Sequence, residues 1–410
     1  MLELSARAQT ISPSPTLSID TKTKALKASG VDVVNLSVGE PDFPTPDRAA
    51  LAGVAAIANQ FTKYTDVSGI LELRQAIANK LHDENGLSYT PAEIIVSSGA
   101  KHSLYNVFMV ILNPGDEVLL PAPYWVSYPE QIRLAGGVVV ALPTNEQTHF
   151  KITPAQLEAA ITEKTKAILL NSPSNPTGSV YSPEEIQELA SVIEKHSLFV
   201  ISDEIYEQLI YGVTHYSIAQ YSDTLKERTF LVNGFSKTYA MTGWRVGYVA
   251  GPATFIKAMS SFQSHTTANP ASISQKAALG ALGTFDPLHR EEFKARRDYV
   301  FNELTNFPGV SCTKPDGAFY LFPNIKPLLG KTFHRNNGDA VILQTVDQLC
   351  EELLTELHVS TVPGSGFGAP ENFRISYATS MEQLQKAMAR MKDFFARIDY
   401  KSIHRFLLST

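Results

Sequence analysis

Between about residue 70 and residue 250 the sequence alternates short apolar runs with amphipathic stretches, and this rhythm limits the fold more than any other feature. The apolar runs are Ile94–Ser97, Glu117–Leu120, Val138–Leu142, Lys166–Leu170, Leu198–Ser202, Thr229–Val232 and Val246–Ala250. Their length and composition predict strands. Between them, Ile70, Leu73, Ile77 and Leu81 mark one helical face that Gly86 ends, and further helices are expected from Lys101 to Leu112 and from Tyr128 to Ala135. Ser182, Pro183 and Glu185 form a capping box with proline at the first helical position, so another helix starts there. Such alternation predicts an α/β layer with a mostly parallel sheet flanked by helices.

The alternation fades after about residue 285, where a charged helix is expected near Arg290–Leu304. Beyond it, strands at Ala318–Phe322 and Phe373–Tyr377 mix with helices. Upstream, residues 1–16 read as a polar arm. A helix from Leu17 to Ser29 stops at Gly30, and a strand at Val33–Val38 and a turn at Asp42–Pro46 follow. The expected division is an N-terminal arm with part of a small domain (1–47), a large domain (48–295) and a small C-terminal α/β domain (296–410). A chain of 410 residues exceeds one ordinary core, which agrees with two domains. The stretch 326–344 and the tail 399–410 give no reading.

Bulk properties narrow the function classes. Apolar residues make up 44% and charged residues 19%, an ordinary soluble composition. A formal net charge of -6 offers no basic face for nucleic acid, and it argues against membrane-surface binding. Two cysteines, Cys312 and Cys350, exclude a disulfide framework and metal-ligand spacing, so no metal is expected and a reducing cytoplasm fits. The opening Met-Leu-Glu-Leu-Ser has no basic region leading into an apolar run, so no signal peptide is expected. Apolar runs such as Val107–Leu112 are too short to span a bilayer.

Ligands of open α/β sheets sit beyond the carboxyl ends of the strands. Four such ends, expected to be adjacent, carry chemistry here: Ser98-Gly99-Ala100-Lys101, Asn171 to Gly178, Asp203-Glu204, and Gly234-Phe235-Ser236-Lys237. Ser98 to Lys101 opens a helix, where unpaired N–H groups suit an anion. Asp203 alone fits a helix N-cap as well as a functional carboxylate, and Tyr206 or Trp125 alone fits a core aromatic. Lys237 alone fits a strand end at the surface, but small residues flank it, and Arg245, eight positions on, offers a planar fork for phosphate. An amine beside another cation has the lowered pKa that imine formation requires.

The run Gly234-Phe-Ser-Lys-Thr-Tyr-Ala-Met-Thr-Gly-Trp-Arg245-Val-Gly247 resembles the cofactor-attachment signature of class I aminotransferases, the fold type I transferases dependent on pyridoxal phosphate. The resemblance extends through Leu36-Ser-Val-Gly-Glu-Pro-Asp-Phe, Tyr64-Thr-Asp-Val-Ser-Gly69, Asn171-Ser-Pro-Ser-Asn-Pro-Thr-Gly178, Ser202-Asp-Glu-Ile-Tyr206 and Phe373-Arg-Ile-Ser-Tyr-Ala378, in family order. It implies a large domain built on a mostly parallel seven-stranded sheet, with a smaller α/β domain. It also implies pyridoxal 5'-phosphate carried covalently by Lys237, which doubles as general base. Asp203 would pair with the pyridine nitrogen, and Tyr206 and Asn175 would bond the phenolic oxygen. Trp125 would stack on the ring. Gly99, Ala100, Lys101, Ser236 and Arg245 would surround the phosphate, with Tyr64 reaching in from the other subunit of a homodimer. Gly234 stands where family members commonly carry a second hydroxyl. Arg374 would grip the substrate α-carboxylate, with Gly39 giving it room, although an outward-facing arginine also satisfies the alternation of that strand. A cis peptide is expected at Asn175–Pro176.

Tyr124-Trp-Val-Ser-Tyr128 and Ala240-Met-Thr-Gly-Trp-Arg-Val-Gly-Tyr248 are similar to the bacterial-type aspartate aminotransferase subgroup. There, residues at the positions of Lys101 and Ser14 read the distal carboxylate. The helix dipole disfavours a cation in the first turn of a helix, and a dicarboxylate substrate would give Lys101 its reason. The expected reaction is ping-pong transfer of the amino group of L-aspartate to 2-oxoglutarate, between small-molecule amino and oxo acids. Prephenate, aromatic or alanine specificity, or lyase chemistry on the same cofactor, are the alternatives. A transcription regulator built on this fold would need a DNA-binding domain ahead of Gly39, for which the sequence has no room.

Overall fold

The computed structural model describes residues 3–13 and 15–400. Two compact units emerge. The larger comprises Glu40–Glu292 with Asp316–Ala318 and the N-terminal stretch up to Ser12. The second comprises Pro13–Gly39, Phe293–Pro315 and the chain from Phe319 onward. The arm is thus split at residues 12 and 13, not carried whole into the small unit.

The large unit holds a seven-stranded sheet: β1 (Ile94–Ser97), β2 (Glu117–Ala122), β3 (Val138–Pro143), β4 (Thr165–Asn171), β5 (Phe199–Asp203), β6 (Thr229–Gly234) and β7 (Gly247–Ala250). Their spatial order is β1-β7-β6-β5-β4-β2-β3. All neighbours run parallel except β7, which is antiparallel to both β1 and β6. Successive residues face opposite sides, and both sides are buried. Ile94 and Val96 join one apolar cluster while Ile95 joins another, and Leu169 and Leu170 divide in the same way. That two-sided burial is why the strands read as continuous apolar runs.

Helices cover the faces where the sequence places caps or small residues. The box at Ser182 starts the helix Pro183–Lys195, with Ser182 accepting from the Glu185 amide. The helix Leu71–Asn85 ends on left-handed Gly86, and its buried face includes Leu73, Ile77 and Leu81. Two further helices, Asp47–Ala58 and Ser272–Ala281, pack closely through small residues. A side chain on Gly280 would come within 2.9 Å of Ala52.

In the second unit, Val34–Asn35 pairs in parallel with Val359–Ser360. Only those two residues are strand where Val33–Val38 was expected, although the Leu36 amide still donates to the Ser360 carbonyl and its carbonyl accepts from the Ser376 amide. Tyr320–Leu321, Phe373–Ser376 and Val362–Pro363 form an antiparallel sheet, and helices Val346–Leu357 and Met381–Ala396 belong to the same unit. Within the stretch 326–344, Thr332–His334 pairs with Ala340–Ile342. Among the described residues, no helix is long and apolar enough to cross a membrane.

Candidate functional site

The register aligns the chemistry along one edge of the large sheet. Asn171 at the end of β4 lies opposite Asp203 at the end of β5, and Gly234 and Ser97 both lie opposite Gly247. The four strand ends singled out in the sequence are therefore not all neighbours. β7 stands between β1 and β6, and its antiparallel direction brings Arg245 and Gly247, at its start, to this same edge.

Asp203 is buried, at 3% exposure. The Tyr128 hydroxyl donates to its Oδ2 at 2.7 Å and the Ile205 amide to its Oδ1 at 3.2 Å. Burial raises its pKa to about 6 against the opposing pull of those two hydrogen bonds and the charge of Lys237, and the Glu204 charge adds to the rise. No helix follows for it to cap: residues 205–208 make only turns, closed by the Glu207 amide on the Glu204 carbonyl and the Leu209 amide on the Tyr206 carbonyl. Tyr206 in these turns is buried, and the Lys237 Nζ lies 6.0 Å from its ring centre. Lys237 is half-buried in the turn after β6.

Two residues that sequence reasoning left without a role of their own hold this group together. Tyr128 is one, fully buried, its own pKa pushed far up by burial and then by the Asp203 charge. Asn171 is the other. Its Nδ2 donates to the Asp203 carbonyl at 3.0 Å while its Oδ1 accepts from the Asn175 amide at 2.8 Å. Asn175 is thereby fixed beside the strand end, and the peptide to Pro176 is cis as expected. Cis peptides at Ala122–Pro123 and Ser172–Pro173 were not expected.

Beyond β1, Gly99 adopts φ +88° and caps the helix Ala100–Ile111. The space around it is tight. A Cβ on Gly99 would fall 2.4 Å from the Arg245 Nη2, and one on Gly247 would fall 2.3 Å from the Ala100 amide nitrogen. Three segments thus meet with no room for side chains, and the first N–H groups of the helix and a guanidinium converge there. Arg245 is exposed, and its Nη1 donates to the Thr242 carbonyl at 2.7 Å. Ser236 is buried nearby in sequence. A side chain at Gly234 would crowd the neighbouring strand: its Cβ would fall 2.9 Å from the Gly247 Cα.

Lys101, in the first helical turn, sets its ammonium 4.8 Å from the Trp125 ring centre. Desolvation, then the Arg245 charge, lowers its pKa. Trp125 also meets Tyr128 edge to face at 5.3 Å. Tyr64 is 91% exposed in the loop after the helix Asp47–Ala58.

Glu204 and Glu207 turn into a buried polar cluster. Glu204 accepts from Ser202 and Ser217 and meets His215 at 2.8 Å. Glu207 accepts from Lys80, Asn85 and Asn233. Their oxygens lie close enough to the His215 ring to suggest a metal cage, but protein donors already engage them.

In the second unit, Arg374 is 2% exposed, so the outward-facing alternative is excluded. Its guanidinium lies over Tyr320 and Phe367, and Nη2 donates to the Ser37 carbonyl at 2.6 Å. A Cβ on Gly39 would fall 2.2 Å from the Tyr320 hydroxyl. Ser14 lies outside the described residues.

The chain belongs to the aminotransferase family of classes I and II, whose model matches residues 31–391, and it is an aminotransferase. Over nearly its whole length it is 49% identical to an aspartate aminotransferase of Bacillus subtilis, covering 96% of this chain and 99% of that one. It is 47% identical to an aspartate/prephenate aminotransferase of Cereibacter sphaeroides, covering 97% and 99%. The aspartate aminotransferase of Thermus thermophilus, solved with maleate, superposes with a TM-score of 0.89 at 43% identity, covering 96% of this chain and all of that one.

Proposed function

We propose that the chain transfers the amino group of L-aspartate to 2-oxoglutarate using pyridoxal 5'-phosphate carried on Lys237. The single observation that carries this reading is the buried carboxylate of Asp203, hydrogen-bonded by Tyr128 and close enough to Lys237 to feel its charge. A carboxylate held dry in this way suits a cationic ring nitrogen. The close-packed corner of Gly99, Gly247 and Arg245 suits a phosphate approaching backbone.

The bound cofactor would supply an electron-withdrawing ring that stabilises negative charge at the substrate α-carbon. Asp203 would keep the ring nitrogen protonated. Tyr206 and Asn175 would hold the phenolic oxygen, and Trp125 would cover the ring face. Arg245, Ser236 and the amides of Gly99, Ala100 and Lys101 would bind the phosphate. The Lys237 amine would take the α-proton as general base. Arg374 would hold the α-carboxylate, a role suited to a buried guanidinium that stays charged at any ordinary pH, and Gly39 leaves space for it. Lys101 and Ser14 would read the distal carboxylate. Maleate, a dicarboxylate, in the Thermus thermophilus structure supports that choice of substrate.

A homodimer completes this reading, with Tyr64 serving the phosphate of the partner's site. The support is an apolar surface beside it. Leu51, Val54 and Ile57 recur every third residue on one helix at 67, 63 and 57% exposure, next to a groove of about 400 Å³ lined by Ala52, Ala55, Phe61 and Leu279. Cys312 and Cys350 are free thiols, in keeping with a reducing cytoplasm.

The test is a panel of amino donors with 2-oxoglutarate, together with prephenate as acceptor, since one relative is named for both activities. Aspartate should be the best donor. If alanine or tyrosine is turned over equally well, the substrate assignment is wrong. Lys101→Ala should raise KM for aspartate by about tenfold or more, the value of a charged hydrogen bond, and leave KM for tyrosine nearly unchanged. Equal effects would remove Lys101 from the distal-carboxylate role.

A further inference from the structure

We propose that Gln275, seconded by Gln263, is a positioning residue acting on the cofactor-phosphate site of the opposite subunit, through the loop that presents Tyr64. The proposal rests on the reading that Tyr64 works across the dimer.

The loop runs from Asn59 to Ile70, between the helices Asp47–Ala58 and Leu71–Asn85, and has no regular structure of its own. A loop of this kind is ordinarily the most mobile part of a domain. Within its own subunit Tyr64 finds little to pack against, being 91% exposed there. The order must come from beneath. Gln275, on the helix Ser272–Ala281, is fully buried, and its amide is fully engaged. Its Oε1 accepts from the Ile70 amide at 2.7 Å. Its Nε2 donates to the Thr65 hydroxyl at 3.0 Å and to the Pro270 carbonyl at 2.8 Å.

Gln263, on the helix Ala253–Ser264, is equally buried and does the same one step further along. Its Nε2 donates to the Val67 and Val96 carbonyls at 2.7 and 3.0 Å, and its Oε1 accepts from Ser97 and Asn106 at 3.0 and 2.8 Å. Loop residues 65, 67 and 70 are thereby tied to the strand β1 and to two helices. Thr65 adjoins Tyr64 directly.

Burying two amides costs free energy unless every donor and acceptor is met, and apolar side chains would have filled the same space without that requirement. What fully paired amides add is direction. They admit one orientation of the backbone they bind, where an apolar contact admits several. Neither an apolar nor an acidic side chain of similar size makes the same three bonds. A leucine offers no hydrogen bond, and a carboxylate offers no donor for the Pro270 carbonyl. The element so fixed is the one that carries an exposed tyrosine outward.

The test uses hybrid holoenzyme dimers in which one subunit carries Lys237→Ala, so that only one site attaches the cofactor covalently. The absorbance of the attached cofactor then reports the affinity of that site alone, independently of turnover. Gln275→Leu is the direct variant. Thr65→Val is the milder one, removing only the hydroxyl that Gln275 meets, and it keeps the test usable should Gln275→Leu not fold.

With either substitution on the Lys237→Ala subunit, the surviving site in the unaltered partner should bind cofactor about two- to tenfold more weakly, the value of one neutral hydrogen bond. With the substitution on the other subunit, the surviving site should keep its affinity. The reverse pattern, equal loss in both arrangements, or no loss in either would overturn the proposal. Tyr64→Phe in the same two arrangements separates the two ideas. If it fails to act across the dimer, the reading of Tyr64 falls and the proposal with it. If it acts across and the Gln275 and Thr65 variants do not, only the role of Gln275 falls.

Discussion

Asp203 keeps its proton to about pH 6 in the folded chain, while an unfolded aspartate releases it near 3.8. In that window the folded state binds more protons, so this residue lowers stability as pH rises through it, by about 3 kcal/mol once both states are ionised. Asp203→Asn removes the effect and retains an oxygen for Tyr128. In urea unfolding of the cofactor-free protein, the variant should match the parent near pH 4 and exceed it increasingly toward pH 7. A difference that does not change with pH would contradict the assignment. Asp203 alone reads as a helix N-cap as readily as a functional carboxylate, and only the resemblance of the surrounding run singles it out; no helix follows for it to cap. The roles of Tyr128 and Asn171 were not legible. A tyrosine on a helix face reads as core, which it also is, and an asparagine closing a strand reads as a turn. The role of Asn171 exists only in the register that sets β4 beside β5, and that of Tyr128 only once its helix is packed against the end of β5.

The elements that carry the site were readable wherever large apolar residues face inward. They were unreadable where the pattern inverts. In the helix Asp47–Ala58, Ala49, Gly53 and Ala56 are buried while Leu51, Val54 and Ile57 face outward. The helix Ser272–Ala281 likewise buries Ser274, Ala277, Ala278 and Gly280. Hydrophobic periodicity assumes that the large side chains find the core, and here they do not. β7 was legible as a strand, but its direction was not, since an apolar run looks the same in either sense. Its reversal matters, because it delivers Arg245 and Gly247 to the helix start at Ala100. Gly247→Ala should force those backbones apart. It should cost about 1–3 kcal/mol of stability, as over-packing does, and weaken cofactor binding. Thermal unfolding and cofactor titration measure both, and an unaltered affinity would show that the corner does not bind the phosphate.

At the scale of the molecule, the fading of strand–helix alternation near residue 285 announces a second unit, and the contacts divide at residues 292 and 293. The sequence could not show that the N-terminal residues divide between the units, since contact partners distant in sequence leave no local signature. The proposed dimer makes its own prediction. Val54→Glu places a charge on the exposed apolar face, and two-fold symmetry makes the cost count twice. The dimer should dissociate at least about a hundredfold more readily in sedimentation measurements, and cofactor affinity should fall with it as Tyr64 is lost. A variant that stays dimeric would move the interface elsewhere.

The central claim is the bond between Lys237 and the cofactor. Borohydride reduction of the protein loaded with pyridoxal 5'-phosphate, followed by peptide mass spectrometry, tests it directly. The reduced adduct should appear on the peptide containing Lys237 and nowhere else, and should be absent from Lys237→Ala. An adduct on another lysine with Lys237 unmodified would contradict the account.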